Sequence, residues 1–211
     1  HNTCTYQYDM QLVDAYRANR HDIEAPKRNF IIFHLYGQHA AYGERHPADF
    51  AKFGVRSVKS KLRLSDEQRG VVADYLNATL YNDYVVDSII RMFSDRNAVV
   101  LYFSDHGEEV YDFRLQQGRT DLKTDVPRAL HSQLDIPFMI YVSPRYAATH
   151  PQQVERIKRS LDRPFMTDNL PQVIFDLLGV RTKYYKPASS VINDEYRPQK
   201  QRMLQVEREY D

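Results

Sequence analysis

Three short, continuously apolar runs interrupt a chain that otherwise has mostly helical spacing. They are residues 29–36 (NFIIFHLY), 98–103 (AVVLYF) and 136–142 (IPFMIYV). Each run has the length and the β-branched and aromatic content of a buried strand. Strands that are apolar on both faces and alternate with helices are typical of α/β proteins. The pattern therefore predicts an α/β fold with a mostly parallel sheet that is flanked by helices on both faces.

The segments around these runs carry helix signals. Ser65-Asp66-Glu67-Gln68 has the pattern of a capping box, and Gly179 stands where a glycine commonly ends a helix. The apolar positions Val72, Leu76, Leu80 and Tyr84 share one helical stripe. No internal repeat and no linker divides the chain, so we expect a single domain. The predicted helices cover Asp9–Asn19, Ser65 to about Phe93, Gln152–Leu161 and Asp168–Leu178.

Length and composition restrict the class of protein. The chain has 211 residues, of which 42% are hydrophobic and 27% are charged, as expected for a globular domain with a core. Its net charge of +1 gives no support to nucleic-acid binding, which needs a clustered basic excess. No apolar run reaches the roughly 18 residues of a membrane span. The single cysteine, Cys4, can form no disulfide within the chain.

Two of the predicted strands end in residues that can bind a metal ion. The first run contains His34 and is followed by His39, and the second run is followed by Asp105 and His106. Ligands of such sheets bind beyond the carboxyl ends of the strands, and carboxylate with neutral imidazole suits Zn²⁺. Neighbouring residues of a strand point to opposite faces, but a turn at Gly107 allows both side chains to aim at one point. The sequence therefore predicts a zinc site at these strand ends.

Each of these residues also has an ordinary structural interpretation. An isolated Asp-His pair is common in loops. His34 lies inside an apolar run, where a core histidine would be found, and His39 fits a solvated loop. Their coincidence at the ends of two strands of one predicted sheet favours the metal site.

The ordered motifs resemble those of the lipid A phosphoethanolamine transferases, which belong to the sulfatase and alkaline phosphatase superfamily. NFIIFHLYGQHAAYGERHP is similar to their segment with paired histidines, although Ala40 and Ala41 replace a usual Gly and Pro. LYFSDHGEEVYD resembles their strand that ends in SDHGE, and DIPFMIYVSPRY and MTDNLPQVIFDLLGV resemble later segments. The resemblance extends from about Cys4 to Leu204 and implies an alkaline-phosphatase/sulfatase-like fold.

The resemblance also implies an activity. Such enzymes are anchored in the bacterial inner membrane, carry their catalytic domain on its periplasmic face, and move phosphoethanolamine from phosphatidylethanolamine to lipid A or another envelope acceptor. In these enzymes Zn²⁺ activates a Thr nucleophile. The ligands of the zinc ion are a Glu, that Thr, an Asp and a His. The Asp and His correspond to Asp105 and His106. The paired histidines correspond to His34 and His39 and serve a second metal or the phosphate group, so one Zn²⁺ ion or two are expected.

The nucleophile of that family has no counterpart here. The Thr and the Glu ligand lie upstream of the segment that begins here, and Thr3 and Thr5 have no nucleophile motif around them. We therefore expect residues 1–211 to be the carboxyl-terminal part of a sulfatase-like catalytic domain. By this interpretation the chain is a soluble fragment with half a metal site, incomplete for turnover, whose membrane anchor belongs to the missing segment.

A further family His, usually found after SDHGE, is also missing, because Arg119 follows Gly118. Either Arg119 binds the phosphate, for which its guanidinium fork is suited, or His131 takes the role through a shifted loop. His131 equally fits a polar residue packed before the third run, and Arg119 fits the surface. Glu108 and Glu109 either support the metal ligands or are solvated.

Three functions are compatible with these motifs. The first is zinc-dependent phosphoethanolamine transfer, which the presence of all four candidate ligands favours. The second is another activity of the superfamily, such as that of a sulfatase or a phosphoglycerol transferase. The third is a non-catalytic module that binds an envelope lipid or partner. In every case, the missing upstream segment should leave apolar surface exposed or lead to self-association.

Overall fold

A computed structural model describes residues 6–120 and 127–198. Within these residues the helices are α1 (Asp9–Ala18), α2 (Arg20–Ile23), α3 (Asp66–Phe93), α4 (Pro127–Leu134), α5 (Pro144–Thr149), α6 (Pro151–Arg159) and α7 (Leu170–Leu178). The strands are β1 (Val99–Phe103), β2 (Glu109–Val110), β3 (Gln117–Gly118) and β4 (Phe138–Val142). All four predicted helices and the second and third predicted strands are thereby confirmed. None of the described helices is both long enough and apolar enough to cross a membrane.

The chain forms two compact units. The first consists of His1–Met92 and Phe103–Pro137, and the second of Phe93–Tyr102 and Phe138–Asp211. The first unit therefore contains α1, α2, nearly all of α3, the β2–β3 pair and α4. The second contains most of β1, β4 and α5 to α7. Every residue that the sequence predicts for the site falls in the first unit.

The long helix α3 begins at the predicted capping box. The Gln68 N–H donates to Ser65 Oγ (3.2 Å), and the Ser65 N–H donates to Gln68 Oε1 (2.9 Å). These two bonds satisfy backbone donors that the first helical turn leaves unpaired. Ser65 and Gln68 therefore determine where the helix starts.

The buried face of α3 lies one position away from the predicted apolar stripe. Leu80 and Tyr84 are exposed, whereas Ala73, Asn77 and Tyr81 are buried. Asn77 is tolerated there because it forms two bonds with the backbone of Phe53, accepting from N–H (2.8 Å) and donating to C=O (3.0 Å). A prediction based on hydrophobicity alone does not identify this face as buried, because the polar residue Asn77 lies on it.

The predicted mostly parallel sheet is not found among the described residues. There are two two-stranded sheets, β1 with β4 and β2 with β3, and the β2–β3 pair is antiparallel. The Ser143 N–H donates to Ala98 O (3.1 Å), which joins the residue after β4 to the residue before β1. These two strands are therefore antiparallel as well. A parallel pair needs a crossover that packs on the sheet, and α4 packs against β2 instead. No residue of β1 or β4 is fully buried.

The first apolar run is not a strand in this structure. Residues 29–36 have no strand assignment, and Phe30 and Ile32 are 59% and 74% exposed. A strand exists only through hydrogen bonds to a neighbouring strand, and no described segment pairs with this run. The prediction of a buried strand at residues 29–36 is therefore wrong, although the run does have the apolar composition of a strand.

Each unit has its own apolar cluster. In the first unit Tyr42, Ala78 and Val110 form a buried cluster, so the β2–β3 pair packs on α3. In the second unit the cluster contains Ile157 and Val173 and is extended by residues of β4. Helix α7 ends, as predicted, at Gly179, whose φ of +65° is left-handed. The first cluster supports the elements that carry the predicted site.

Candidate metal centre

Asp105 and His106 lie in the turn that follows β1. Ser104 Oγ donates to the His106 carbonyl oxygen (2.7 Å), and the His106 N–H donates to Asp105 Oδ1 (3.0 Å). The Asp105 side chain is 86% exposed and that of His106 is 29% exposed. The turn therefore presents a carboxylate to solvent beside a partly buried imidazole.

The ring of His106 is oriented as a metal ligand requires. Its Nδ1 lies 2.9 Å from the Gly107 carbonyl oxygen, which can only accept, so Nδ1 carries the proton. The lone pair is then on Nε2, which lies 3.6 Å from Asp105 Oδ2. Two ligands of a tetrahedral zinc ion with bonds of about 2.0–2.1 Å lie roughly 3.3 Å apart. The donor atoms and their spacing therefore fit Zn²⁺ with little adjustment.

Gly107 is required at this turn, but for a different reason from the one expected. Its φ is not among the left-handed values, so conformational freedom is not what the turn uses. A Cβ at this position would lie 2.3 Å from the Ser132 carbonyl oxygen and 3.0 Å from the Gln133 carbonyl carbon. The Gly107 N–H also donates to the Gln133 carbonyl oxygen (2.9 Å). The turn is thus pressed against the end of α4, where only glycine fits.

His34 and His39 are both exposed and flank a tight turn. The His39 N–H donates to the Tyr36 carbonyl oxygen (3.1 Å), and Gly37 has a left-handed φ of +54°. In the described part of the chain, no three of the His, Cys, Asp and Glu residues converge on a point that could hold a metal ion. The structure therefore brings together Asp105 and His106 and does not add His34 or His39 to them.

Asp9 holds this histidine turn from outside the predicted site. Its side chain is 7% exposed and accepts from the N–H groups of Tyr36 (2.8 Å) and Gly37 (2.9 Å). Sequence reasoning missed this role, because a carboxylate at the start of α1 has the ordinary appearance of a residue that favours a helix N-terminus.

The two candidates for the missing family histidine lie on α4 and directly after β3. His131 belongs to α4, and its Nδ1 lies 2.9 Å from Asp135 Oδ2 in an exposed pair. Arg119 follows β3 and is exposed. Within the described residues His131 does not complete a group of three metal ligands with Asp105 and His106, and the roles of both candidates toward a phosphate stay predictions. Thr3, Cys4 and Thr5 lie outside the described residues.

Of the two glutamates after the motif, Glu109 is not solvated. It is completely buried and paired with Arg114. Glu108 lies near the buried phenol of Tyr42; burial, and then the negative charge of Glu108, raise the pKa of Tyr42 to about 12. Tyr42 therefore stays a neutral hydrogen-bonding group at physiological pH. Nothing in the local sequence indicates that Arg114 is the partner of Glu109.

A shallow pocket of about 270 Å³ lies beside Tyr42, but it contains none of the predicted metal ligands. Asp74 lies on one side of the pocket close to Gly43. A Cβ added to Gly43 would lie 3.0 Å from Asp74 Oδ2. The pocket is separate in its lining from the Asp105–His106 turn. It is lined by Ala41, Tyr42, Gly43, Glu44, Val71, Asp74 and Gln117.

Known proteins are similar to this chain over most of its length. The phosphoethanolamine transferase EptC of Escherichia coli K12 is 35% identical over 195 residues, which are 90% of this chain and 32% of that protein. The crystal structure of the C-terminal periplasmic domain of Escherichia coli EptC matches with a TM-score of 0.80 and 30% identity, covering 97% of this chain and 56% of that one. A zinc complex of the same domain matches with a TM-score of 0.80 and 33% identity, over 94% of this chain and 54% of that one.

The chain thus spans about a third of its full-length relative and about half of the solved domains. The sulfatase family model matches residues 1–180. That match covers most of the chain. The solved EptC domains resemble the chain in fold, with TM-scores of 0.80. The chain belongs to the sulfatase family.

Proposed function

We propose that this chain is part of the catalytic domain of a zinc-dependent phosphoethanolamine transferase. The transferase would move phosphoethanolamine from phosphatidylethanolamine to lipid A or another envelope acceptor at the periplasmic face of the inner membrane. The observation that carries the proposal is the Asp105–His106 turn, where a fixed tautomer leaves Nε2 beside a carboxylate oxygen. The similarity to EptC and the zinc complex of its domain support the same activity and metal.

Asp105 and His106 would supply two of the ligands. When bound, Zn²⁺ neutralises charge on the phosphoryl oxygens and lowers the pKa of a nearby hydroxyl nucleophile. Asp105 contributes negative charge, and the Gly107 carbonyl keeps the His106 proton on Nδ1, away from the metal. Because only two ligands meet in the described residues, we propose that the remaining ligands and the nucleophile come from a segment of the domain outside this chain.

The other candidate residues would act on the phosphate. His34 and His39 flank the turn that Asp9 holds, and they would bind a second metal ion or the phosphoryl group. Arg119 is exposed and could form a bidentate contact with phosphate oxygens. Nδ1 of His131 pairs with Asp135 Oδ2 (2.9 Å), an arrangement that leaves Nε2 available to a phosphate oxygen or a metal ion. We therefore keep both Arg119 and His131 as candidates for the place of the missing family histidine.

The test is metal content together with activity. Elemental mass spectrometry of chelator-free protein should find close to one Zn²⁺ per full-length molecule, with loss of the metal in Asp105→Ala and in His106→Ala. Both substitutions should abolish transfer in the full-length protein without unfolding it, because the two side chains are partly or largely exposed. Normal turnover by either variant would contradict the assignment. A full-length protein that contains no zinc would favour the non-catalytic envelope-binding module.

A further inference from the structure

A fully buried charge lies three residues beyond His106 and has no part in the proposed reaction. Glu109 is 0% exposed, and both of its carboxylate oxygens are engaged by Arg114, from Nε to Oε1 and from Nη2 to Oε2, each at 2.8 Å. This is the bidentate geometry that makes an arginine–carboxylate pair strong and directional. Glu109 is fully buried, whereas 32% of the Arg114 side chain is exposed; burying a carboxylate is costly even when it is paired, so its presence calls for another reason.

Gln133 connects this ion pair to the metal-binding turn. Its side chain is 1% exposed; Nε2 donates to Thr120 Oγ1 (2.8 Å) and lies 3.4 Å from Glu109 Oε2. Its Oε1 accepts from the Thr120 N–H (3.0 Å), while its backbone carbonyl accepts from the Gly107 N–H (2.9 Å). Gly107 in turn accepts the proton of His106 Nδ1. A continuous set of hydrogen bonds therefore runs from Arg114 to the His106 ring.

The hairpin between Glu109 and Gly118 is held in a strained conformation. Tyr111 has a left-handed φ of +56°, which is unfavourable for a non-glycine residue. Such a conformation persists only where surrounding contacts determine it. The Tyr111 N–H donates to the Gln116 carbonyl (2.9 Å), and Arg114 closes the loop onto Glu109. The ion pair thus holds the hairpin whose first strand follows the metal-binding turn.

We infer that Glu109 and Arg114 are positioning residues of the zinc site, and that they act through Gln133 to hold the Asp105–His106 turn in its metal-binding arrangement. The inference rests on the proposed function for the identity of the metal. Its structural part does not, because that part depends only on the hydrogen bonds that run from Arg114 to His106. Arg114→Gln leaves a buried carboxylate without its charge partner, which forces the hairpin and the turn to rearrange.

The test compares two arginines that stack on the same ring. The guanidinium of Arg114 lies 5.4 Å from the Phe113 ring centroid, and that of the exposed Arg128 lies 4.7 Å from it. Nuclear magnetic resonance on the metal-free chain would measure amide hydrogen exchange at Gly107 and the ¹⁵N shifts of the His106 ring. Arg114→Gln should speed Gly107 exchange by about tenfold or more and remove the fixed Nδ1–H tautomer. Arg128→Gln should change neither, since it removes only the contact of Arg128 with the Phe113 ring and keeps both hydrogen bonds between Arg114 and Glu109.

Amides of α3 report whether each variant is still folded. If Arg114→Gln loses the fold, Thr120→Val is the milder variant, because it removes the hydroxyl that accepts from Gln133 Nε2 (2.8 Å) and Arg114 Nη2 (3.4 Å) and leaves the two Arg114–Glu109 hydrogen bonds in place. Its Gly107 exchange should still rise several-fold, by roughly the loss of one or two hydrogen bonds. A folded Arg114→Gln, or failing that Thr120→Val, with Gly107 exchange and His106 shifts like those of the unmodified chain would overturn the inference.

Zinc titration then separates the two proposals. Calorimetry with Zn²⁺ alone should show affinity reduced about 10- to 100-fold by Arg114→Gln, as for other groups that orient metal ligands, and unchanged by Arg128→Gln. Unchanged zinc affinity in Arg114→Gln beside the unmodified chain would also count against a positioning role. If the unmodified chain takes up no zinc, that result bears on the metal assignment, and the metal-free measurement at Gly107 and His106 decides the positioning role by itself.

Discussion

At the level of single residues, Asp9 illustrates how a carboxylate outside the predicted site shapes a loop within it. It is buried at the start of α1 and accepts two backbone N–H groups from the turn between His34 and His39. Those donors would otherwise be unpaired at a turn whose Gly37 is already left-handed. The arrangement of the two histidines therefore depends on a residue 28 positions away along the chain.

Asp9→Ala should lower the free energy of unfolding by about 2–4 kcal/mol, because it removes two hydrogen bonds to a buried carboxylate and leaves two partly buried donors without that acceptor. Urea unfolding followed by circular dichroism measures the change. Asp14→Ala on the same helix is the matched control. Its side chain is 62% exposed in a pair with Arg17, so the loss should stay below about 1 kcal/mol. Equal losses in the two variants would show that the turn does not depend on Asp9.

At the level of elements, helix α7 is attached to the segment that follows it by one buried carboxylate. Asp176 on α7 accepts from Tyr185 Oη (2.6 Å), Asn193 Nδ2 (3.0 Å) and Arg181 Nη2 (3.3 Å). Burial by itself raises the pKa of Asp176, but the hydrogen bonds and the Arg181 charge outweigh it, so the pKa lies below its usual value. For Tyr185, burial and then the bond to Asp176 raise the pKa to about 12. The Asp176 side chain thus ties α7 to the segment that follows it.

These two shifts predict how stability depends on pH. A lowered carboxyl pKa contributes stability that is present above the ordinary Asp value of about 3.9 and is lost as the pH falls through the native pKa. A raised phenol pKa contributes stability that is present below about pH 10 and is lost as the pH rises toward 12. Asp176→Asn should therefore destabilise the chain most near neutral pH, and the difference should shrink below pH 4.

Chemical unfolding at a series of pH values tests this profile. Glu155→Gln is the control, because Glu155 forms an exposed pair with Lys158 on the neighbouring helix α6. That substitution should leave the pH profile nearly unchanged, since exposed pairs contribute little. A constant difference between Asp176→Asn and the unmodified chain from pH 3 to pH 7 would contradict the role assigned to the carboxylate.

At the level of the whole molecule, this chain corresponds to 54–56% of the solved EptC domains that it matches. Within the first unit, Phe30 and Ile32 are 59% and 74% exposed on a run that has no strand assignment. Large apolar side chains exposed next to each other favour association with another apolar surface. We therefore expect this part of the molecule to bind other chains or apolar dyes.

The double variant Phe30→Ser with Ile32→Ser should reduce self-association and the binding of an apolar fluorescent dye. Sedimentation velocity over a range of concentrations and dye fluorescence provide the measurements. Leu161→Ser is the control, since Leu161 is more exposed still, at 79%, but is a single residue in a turn after α6. A chain that stays monomeric at high concentration and binds no more dye than the double variant would refute this expectation.

Some features of the candidate site are determined by neighbouring residues, and others by residues that are distant in the sequence. The Asp105-His106-Gly107 turn was predicted because its residue types, its place after an apolar run and its resemblance to a family are all local in the sequence. Arg114 and Gln133 were not predicted, since an arginine and a glutamine have no chemical signature until their partners are known. The tautomer of His106 likewise depends on a carbonyl direction that only the folded turn provides.

The sequence by itself determined the features that neighbouring residues decide: the capping box of α3, the end of α7 at Gly179, the strands β1 and β4, and the turn of Asp105, His106 and Gly107. Only the tertiary structure decided the antiparallel pairing of β1 with β4, the lack of a strand assignment for residues 29–36, and the contacts of the buried Glu109 with Arg114 and Gln133. The physical reason is range. Backbone preferences and caps act over a few residues, whereas strand partners and the environment of a buried charge depend on groups that are far apart in the chain and meet only after folding.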